Sequence, residues 1–311
     1  MPSAITSMAF VRLTAPDLGR MEAFLTDFGM TTAHRDAHRL YMRGCGDSPY
    51  LHVTELGPPG AISCAYTVAD ESVLQSFVRS GDAAGIESLD GPGGGKRVRL
   101  RDVDGCWVEL VCGRQAVQAV PPRPLVRGPD GISRMVGPAR VVRISHTARM
   151  APDARASMAW YQRKLGVIPT DELYIESRDR LMGQFDRLNL GDTPVDHHVI
   201  FIFNGPSTGL HHVSYAVEAP DDIFFGYDHL EKRGYDHVRG IGRHALGSQI
   251  FDYWMSPFNS MHEHWSSAEK MIETSGMNYV RIGEGMAHDT GGKPPERFTR
   301  QATPYVEWPR E

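Results

Sequence analysis

No apolar run in this chain approaches the roughly 18 residues needed to cross a bilayer, and no block of Lys or Arg marks a nucleic-acid face. The first residues, MPSAITSMAF, lack the basic start and apolar core of a signal peptide. Cysteine is scarce: Cys45, Cys64, Cys106 and Cys112 lie in the first 112 residues, and no CxxC pair is present. That pattern fits reduced thiols of a cytoplasmic protein better than a disulfide framework, and a zinc site is the lesser alternative. A net charge of −5 argues against a general polyanion binder. With 41% hydrophobic and 23% charged residues over 311 positions, the chain can bury one large core or two modest ones. A soluble cytoplasmic protein with a small-molecule partner is expected.

The chain contains a repeat. MAFVRLTA (8–15) and VVRISHTA (141–148) are both strand-like, and each is followed by Pro-Asp. Helical spacing comes next, with Met21, Phe24, Leu25 and Phe28 in the first half and Met158, Tyr161 and Leu165 in the second. Asp17 and Asp153 suit the N-caps, and Gly29 and Gly166 the stops. Residues 62–81 parallel 211–234 as strand, acidic cap, amphipathic helix and Gly. Residues 96–112 parallel 248–265 as two strands about a tight turn, the second strand carrying Glu109 or Glu263. The expected class is α+β: two tandem modules of paired βαβββ units, each an open barrel. The expected boundaries are 1–135, 136–272 and a polar, Pro-rich tail at 273–311, with a linker at 113–140 that wraps the surface.

Among 14 His, two stand out together with one Glu. His146, His212 and Glu263 lie in strand-like runs of the second half and supply two imidazoles and one carboxylate. That set is the facial ligand complement of a non-haem Fe(II) site with open positions. The repeat acts as an internal control. It places Phe10 opposite His146, Ser63 opposite His212 and Glu109 opposite Glu263, so the first module is expected to bind no metal. Strand alternation predicts that His211, His262 and His264 point away from the trio.

Further segments then carry a resemblance. Leu-His-His-Val-Ser-Tyr (210–215) and Gly-Arg-His-Ala-Leu-Gly (242–247) are followed by Tyr253, nine residues after His244; Glu263 follows Tyr253 by ten, and His198 precedes His212 by fourteen. In these segments and spacings the chain resembles the type I extradiol dioxygenases, the catechol 2,3-dioxygenase-like branch of the vicinal oxygen chelate superfamily. The sequence departs from the family at Ser-Pro-Phe-Asn-Ser-Met (256–261), where the last turn is usually Asp-Pro-x-Gly-Asn, and at Ala148 and Ala245.

The resemblance implies that His146, His212 and Glu263 hold Fe(II), with Mn(II) as the alternative because the two share ligands. It implies that His198 is the acid/base residue, with His197 pointing to the opposite face, and that His244 and Tyr253 donate hydrogen bonds to substrate oxygens. Arg239 matches a residue that pairs with a substrate carboxylate in the homoprotocatechuate-cleaving branch; a solvated Arg is the equal alternative. Arg243, Leu190 and Ile250 are weaker substrate-contact candidates, and Phe201, Trp254, Met255 and Met261 are as readily core as pocket. The implied activity is extradiol opening of a catechol-type or trihydroxybenzene diol with O2 in aromatic compound degradation, by a cytoplasmic homo-oligomer, tetramer or dimer. Two alternatives remain: a metal-dependent lyase or isomerase of the glyoxalase or epimerase kind, and a non-catalytic binder of aromatic ligands.

Overall fold

The computed structural model describes residues 2–308 apart from 124, 125, 128, 132, 135, 136, 286 and 287. The expected module boundary at 135/136 therefore falls outside the described residues. The first half runs β1 (Ile5–Ala15), α1 (Leu18–Asp27), β2 (Thr31–Arg35), β3 (Arg39–Arg43), β4 (His52–Leu56), β5 (Gly60–Val68), α2 (Glu71–Arg79), β6 (Glu87–Ser88), β7 (Lys96–Arg101) and β8 (Trp107–Cys112). Two short strands, β9 (Val126–Arg127) and β10 (Ser133–Arg134), pair within the linker. The second half runs β11 (Val141–Ala151), α3 (Ala154–Leu165), β12 (Ile168–Ile175), β13 (Ser177–Arg187), β14 (Val195–Asp196), β15 (Ile200–Asn204), β16 (Gly209–Val217), α4 (Pro220–Lys232), β17 (Asp236–Arg243), β18 (Ile250–Met255) and β19 (Met261–Ser266). The tail adds β20 (Lys270–Met271), β21 (Asn278–Arg281), α5 (Ile282–Gly285) and α6 (Glu296–Arg300).

Each half is one large sheet made of two βαβββ units. The first has the order β2-β3-β4-β1-β5-β8-β7-β6, and the second β17-β18-β19-β16-β11-β15-β13-β12-β21. The central pairings repeat. β1 lies antiparallel to β5 and parallel to β4, and β5 is parallel to β8; β11, β16, β15 and β19 do the same. The expected α+β class with two tandem modules is what the chain adopts.

Local chemistry explains the helices. Asp17, Asp70 and Asp153 each accept a backbone N–H in the first turn of α1, α2 and α3. Gly166 ends α3 at φ 73°, a left-handed conformation open to glycine at little cost. The expected acidic cap of α4 is not at the cap itself: Ala219 occupies it, Pro220 follows, and Asp222 reaches back to accept the Ala219 N–H at 3.1 Å.

The modules share a core. Phe24 of α1 and Phe28, the residue that ends it, are fully buried and pack against His262 of β19, and Phe28 stacks on His264 with ring centroids 3.7 Å apart. His264 Nε2–H donates to the Phe28 carbonyl at 2.7 Å, which satisfies a buried ring nitrogen. His262 and His264 thus face the inter-module core, as strand parity predicted. The tail stitches the two sheets together: Thr303 exchanges backbone bonds with Leu210 of β16, and Ala61 of β5 does so with Pro304 and Val306.

Candidate metal centre and cavity

Register, rather than sequence proximity, assembles the site. Across the second sheet the directly opposed residues are Arg239, Tyr253, Glu263, Ser214 and His146, on β17, β18, β19, β16 and β11. Opposed residues on neighbouring strands share a face. His212, two residues before Ser214, shares it too. Arg239, Tyr253, His146 and His212 line one cavity of about 370 Å³, and Glu263 lies buried on the same face of the sheet behind the two imidazoles. The volume is within the range of about 300–1,000 Å³ usual for small-molecule sites.

His146 Nε2 and His212 Nε2 lie 3.1 and 3.4 Å from Glu263 Oε2, and 3.4 Å from each other. Glu263 is fully buried, yet neither of its carboxylate oxygens accepts a hydrogen bond of good geometry. A bare buried carboxylate is costly unless a cation meets it. Three donors each about 2.1 Å from one ion stand about 3.0 Å apart at right angles and about 3.4 Å apart at tetrahedral angles. The observed spacings match that range, so the trio fits a divalent metal. It is also the one cluster of metal-type donors of this kind among the described residues. Burial alone would raise the Glu263 carboxyl, but the close approach of the His146 ring outweighs it and holds the carboxyl down, at about 2. Burial drives His212 well below its ordinary range, so it is a neutral lone-pair donor.

His211, expected to point away from the trio, is itself one of the residues lining the cavity. Its Nε2 lies 2.5 Å from the Phe298 carbonyl, which can only accept, so Nε2 carries the proton. Burial holds His211 neutral, with a pKa of about 4. Its Nδ1 is then an acceptor and takes the His212 Nδ1–H at 2.7 Å. That arrangement leaves the His212 Nε2 lone pair facing Glu263 and His146, the second-partner device that orients metal-binding imidazoles.

A parallel chain holds His198. Asp171 Oδ2 accepts from His197 Nε2–H at 2.9 Å, and Asp171 Oδ1 accepts from Asn278 Nδ2–H at 2.8 Å. His197 Nδ1 lies 3.0 Å from His198 Nδ1; with the bond running from His198 Nδ1–H to the His197 Nδ1 lone pair, the His198 Nε2 lone pair is left for the cavity. His198 sits with its ring centroid 4.0 Å from that of His146, and burial drives it well below the ordinary histidine range. His197 is therefore a partner of His198, although sequence alternation alone made it a bystander.

His244 follows β17. Its Nδ1–H donates to Asp289 Oδ2 at 2.9 Å, and its Nε2 lies 3.1 Å from the Tyr253 hydroxyl. Burial, then the Glu263 carboxylate, push the Tyr253 phenol well above its usual range, so it remains an O–H donor. Arg239 lines the cavity, but its guanidinium pairs with Asp289 at 3.2 Å. Three weaker substrate candidates do not line it. Ile250 alternates with Tyr253 and packs on the far face with Ala139, Val217 and Ile223. Leu190 packs on the main core. Arg243 is exposed and binds the Ser248 carbonyl through its guanidinium and Thr290 through its backbone N–H. Phe201 is a wall residue, whereas Trp254 is buried on the opposite face, donating to Asp252 at 2.6 Å. Sequence reasoning missed Leu173, Phe185, Phe203, Asp289 and Phe298 as wall residues. The last two come from the tail, where no periodicity points at a site.

The first module uses its equivalent carboxylate differently. Glu109 is fully buried and accepts from Arg12 Nε at 3.2 Å, Arg97 Nη1 at 3.0 Å and Ser63 Oγ at 2.5 Å. Fixed guanidinium groups there supply the positive charge.

Residues 143–254 match the model of the Glyoxalase/Bleomycin resistance protein/Dioxygenase superfamily. The chain is 26% identical to metapyrocatechase 2 of Cupriavidus necator over a 309-residue alignment, covering 96% of this chain and 92% of the relative. Homoprotocatechuate 2,3-dioxygenase of Brevibacterium fuscum, in complex with 3,4-dihydroxyphenylacetate, superposes with a TM-score of 0.83 at 18% identity, over 98% of this chain and 95% of that one. A Mn(II)-bound glyoxalase of Novosphingobium aromaticivorans superposes with a TM-score of 0.77 at 24% identity, over 97% of both chains. No described helix is long and apolar enough to cross a membrane. Residues 143–254 thus match the Glyoxalase/Bleomycin resistance protein/Dioxygenase superfamily model, in a chain that shares, over almost its whole length, the two-module fold of the solved extradiol dioxygenase.

Proposed function

We propose that this protein is an extradiol ring-cleaving dioxygenase, opening a catechol-type or trihydroxybenzene diol with O2, with His146, His212 and Glu263 holding Fe(II). The observation that carries the reading is the unsatisfied, fully buried Glu263 carboxylate facing the nitrogens of two imidazoles that line the cavity. When bound, Fe(II) would chelate the diol, lower its hydroxyl pKa and bring it together with dioxygen. Mn(II) would be held by the same donors. Two neutral imidazoles and one carboxylate leave a divalent ion at net +1, which suits a monoanionic diolate.

The chain's own groups supply the proton chemistry. His198 presents an imidazole lone pair in the neutral state and takes a substrate hydroxyl proton as general base, then returns it as general acid. Asp171 and His197 hold the tautomer that this role requires. Tyr253, kept protonated, has one hydrogen to give: its hydroxyl rests 3.1 Å from His244 Nε2 and would turn from that ring to donate to negative charge developing on a substrate oxygen. Leu173, Phe185 and Phe201 exclude water and confine the ring. The reading places the enzyme in the cytoplasm as a homo-oligomer acting in aromatic compound degradation.

A second reading has one observation in its favour, the shared fold with the Mn(II)-bound glyoxalase. It uses a metal without redox chemistry and leaves His198, His244 and Tyr253 without a task. Anaerobic loading with Fe(II), addition of a panel of catechols and trihydroxybenzenes, then admission of air separates the two. Oxygen uptake equal to diol loss, with a yellow ring-opened product, is expected. Turnover that proceeds without O2 would support the glyoxalase-like reading instead.

A further inference from the structure

Charge in the cavity is already balanced where an incoming substituent would need it free. Arg239 and Asp289 are the charged side chains of the wall apart from the histidines. Their side chains are 2% and 7% exposed, and Arg239 Nη2 lies 3.2 Å from Asp289 Oδ2. The guanidinium is also held between two rings, its carbon 4.7 Å from the Phe251 centroid and 5.4 Å from that of Phe298. Asp289 is fixed from its other side, accepting from His244 Nδ1–H at 2.9 Å and from the Ala245 backbone N–H at 2.8 Å. Burial works to raise the Asp289 carboxyl, but His244 and Arg239 outweigh it and hold it below its ordinary range. Leu173, Met182, Phe185, Phe201 and Phe203 give the remaining wall a mostly apolar character, and its other polar groups, Asn204, Gln249 and Thr299, carry no charge.

We infer that Asp289 is a specificity-determining residue: by neutralising Arg239 it selects aromatic diols whose ring substituent is uncharged and apolar, and rejects those carrying a carboxylate. This rests on the proposed diol chemistry and narrows its substrate class. A carboxylate entering beside the pair would lose its hydration and meet a cation already matched by a fixed anion, leaving one negative charge in excess. An alkyl or aryl substituent loses no hydration of charge and gains contact with the apolar wall. The family resemblance offered Arg239 as a partner for a substrate carboxylate, with a solvated Arg as the equal alternative, and neither anticipates a pairing residue 50 positions away in the tail.

The test compares 4-propylcatechol with 3,4-dihydroxyphenylacetate, which are close in size and differ in charge. Anaerobic calorimetry on metal-free and Fe(II)-loaded protein gives the ratio of their dissociation constants. Wild type should bind 4-propylcatechol at least tenfold more tightly. Asp289→Asn keeps an acceptor for His244 and removes the anion, so it should shift the ratio at least fivefold toward the carboxylate. Arg239→Gln should shift it the other way. Working with a ratio cancels a general loss of affinity in either variant. Equal or tighter binding of the carboxylate by wild type, a ratio unmoved by Asp289→Asn, or no binding of either diol would each overturn the inference. Selective binding of 4-propylcatechol without oxygen-dependent ring opening would sustain the inference and sink the ring-cleavage reading.

Discussion

Replacing Asp171 by Asn should reverse the polarity of the chain that holds His198. In the wild type a carboxylate, which only accepts, fixes the proton on His197 Nε2, and each later bond follows from that choice. Asn278 already donates to Asp171 Oδ1 at 2.8 Å. An Asn at this position keeps its oxygen toward Asn278 and turns its NH2 toward His197. His197 then accepts at Nε2 and donates from Nδ1, so His198 accepts at Nδ1 and carries its proton on Nε2. The cavity would face a donor where it now faces a lone pair. Restoring the productive tautomer sets an amide against its own best partner, and the hydrogen bond that the substitution breaks joins an imidazole to a buried charge. Such bonds contribute about 1.5–3 kcal/mol, so kcat should fall roughly 10- to 150-fold at about 1.36 kcal/mol per decade. KM and Fe(II) affinity should change little, because neither the trio nor the apolar wall is touched. The assay is steady-state oxygen uptake beside a metal titration and a circular dichroism spectrum of the folded variant. A folded Asp171→Asn protein with kcat within twofold of wild type would refute the relay.

Other perturbations test other parts of the structure. His212→Ala should abolish tight metal binding, and His211→Ala should weaken it about 10- to 100-fold, as is typical when an imidazole ligand loses the partner that fixes its tautomer; unchanged affinity in His211→Ala would dismiss the Phe298–His211–His212 chain. His52 is fully buried, bonded to Tyr215 and Thr54, and burial pulls its pKa down to about 3. The unfolded chain binds a proton at this residue below about 6.5, while the folded chain does not until about 3. Stability is therefore lost as pH falls from 6.5 toward 3, by about 2 kcal/mol at pH 5 from this group. Urea unfolding at pH 7.5 and pH 5 should show a smaller acid loss in His52→Gln than in wild type, and an identical loss would contradict the assignment.

The architecture was legible in the sequence because hydrophobic spacing and capping residues repeat in both halves, and the sheet pairings follow that repeat. The trio was legible because β-strand parity links His212, Glu263 and their neighbours, and because Phe10, Ser63 and Glu109 show what the same positions hold without imidazoles. What sequence could not supply was long-range pairing. Nothing near Arg239 reveals Asp289, nothing near His211 reveals the Phe298 carbonyl, and nothing near His197 reveals Asp171, 26 residues earlier on β12. Alternation correctly turned His262 and His264 away from the trio. It undervalued His197 and His211, whose ring nitrogens reach sideways to the next residue rather than straight out from the sheet. Ile250 failed as a wall residue for a parity reason that the register with Glu263 and Tyr253 makes plain.

The proposal that both oxygen atoms of O2 enter an aromatic diol beside His198 is tested most directly by isotope labelling. Fe(II)-loaded protein is given 4-propylcatechol under 18O2, and the ring-opened product is weighed by mass spectrometry. Incorporation of two labelled atoms is the predicted result. Product carrying one label or none, or a diol returned intact from an active preparation, would contradict it.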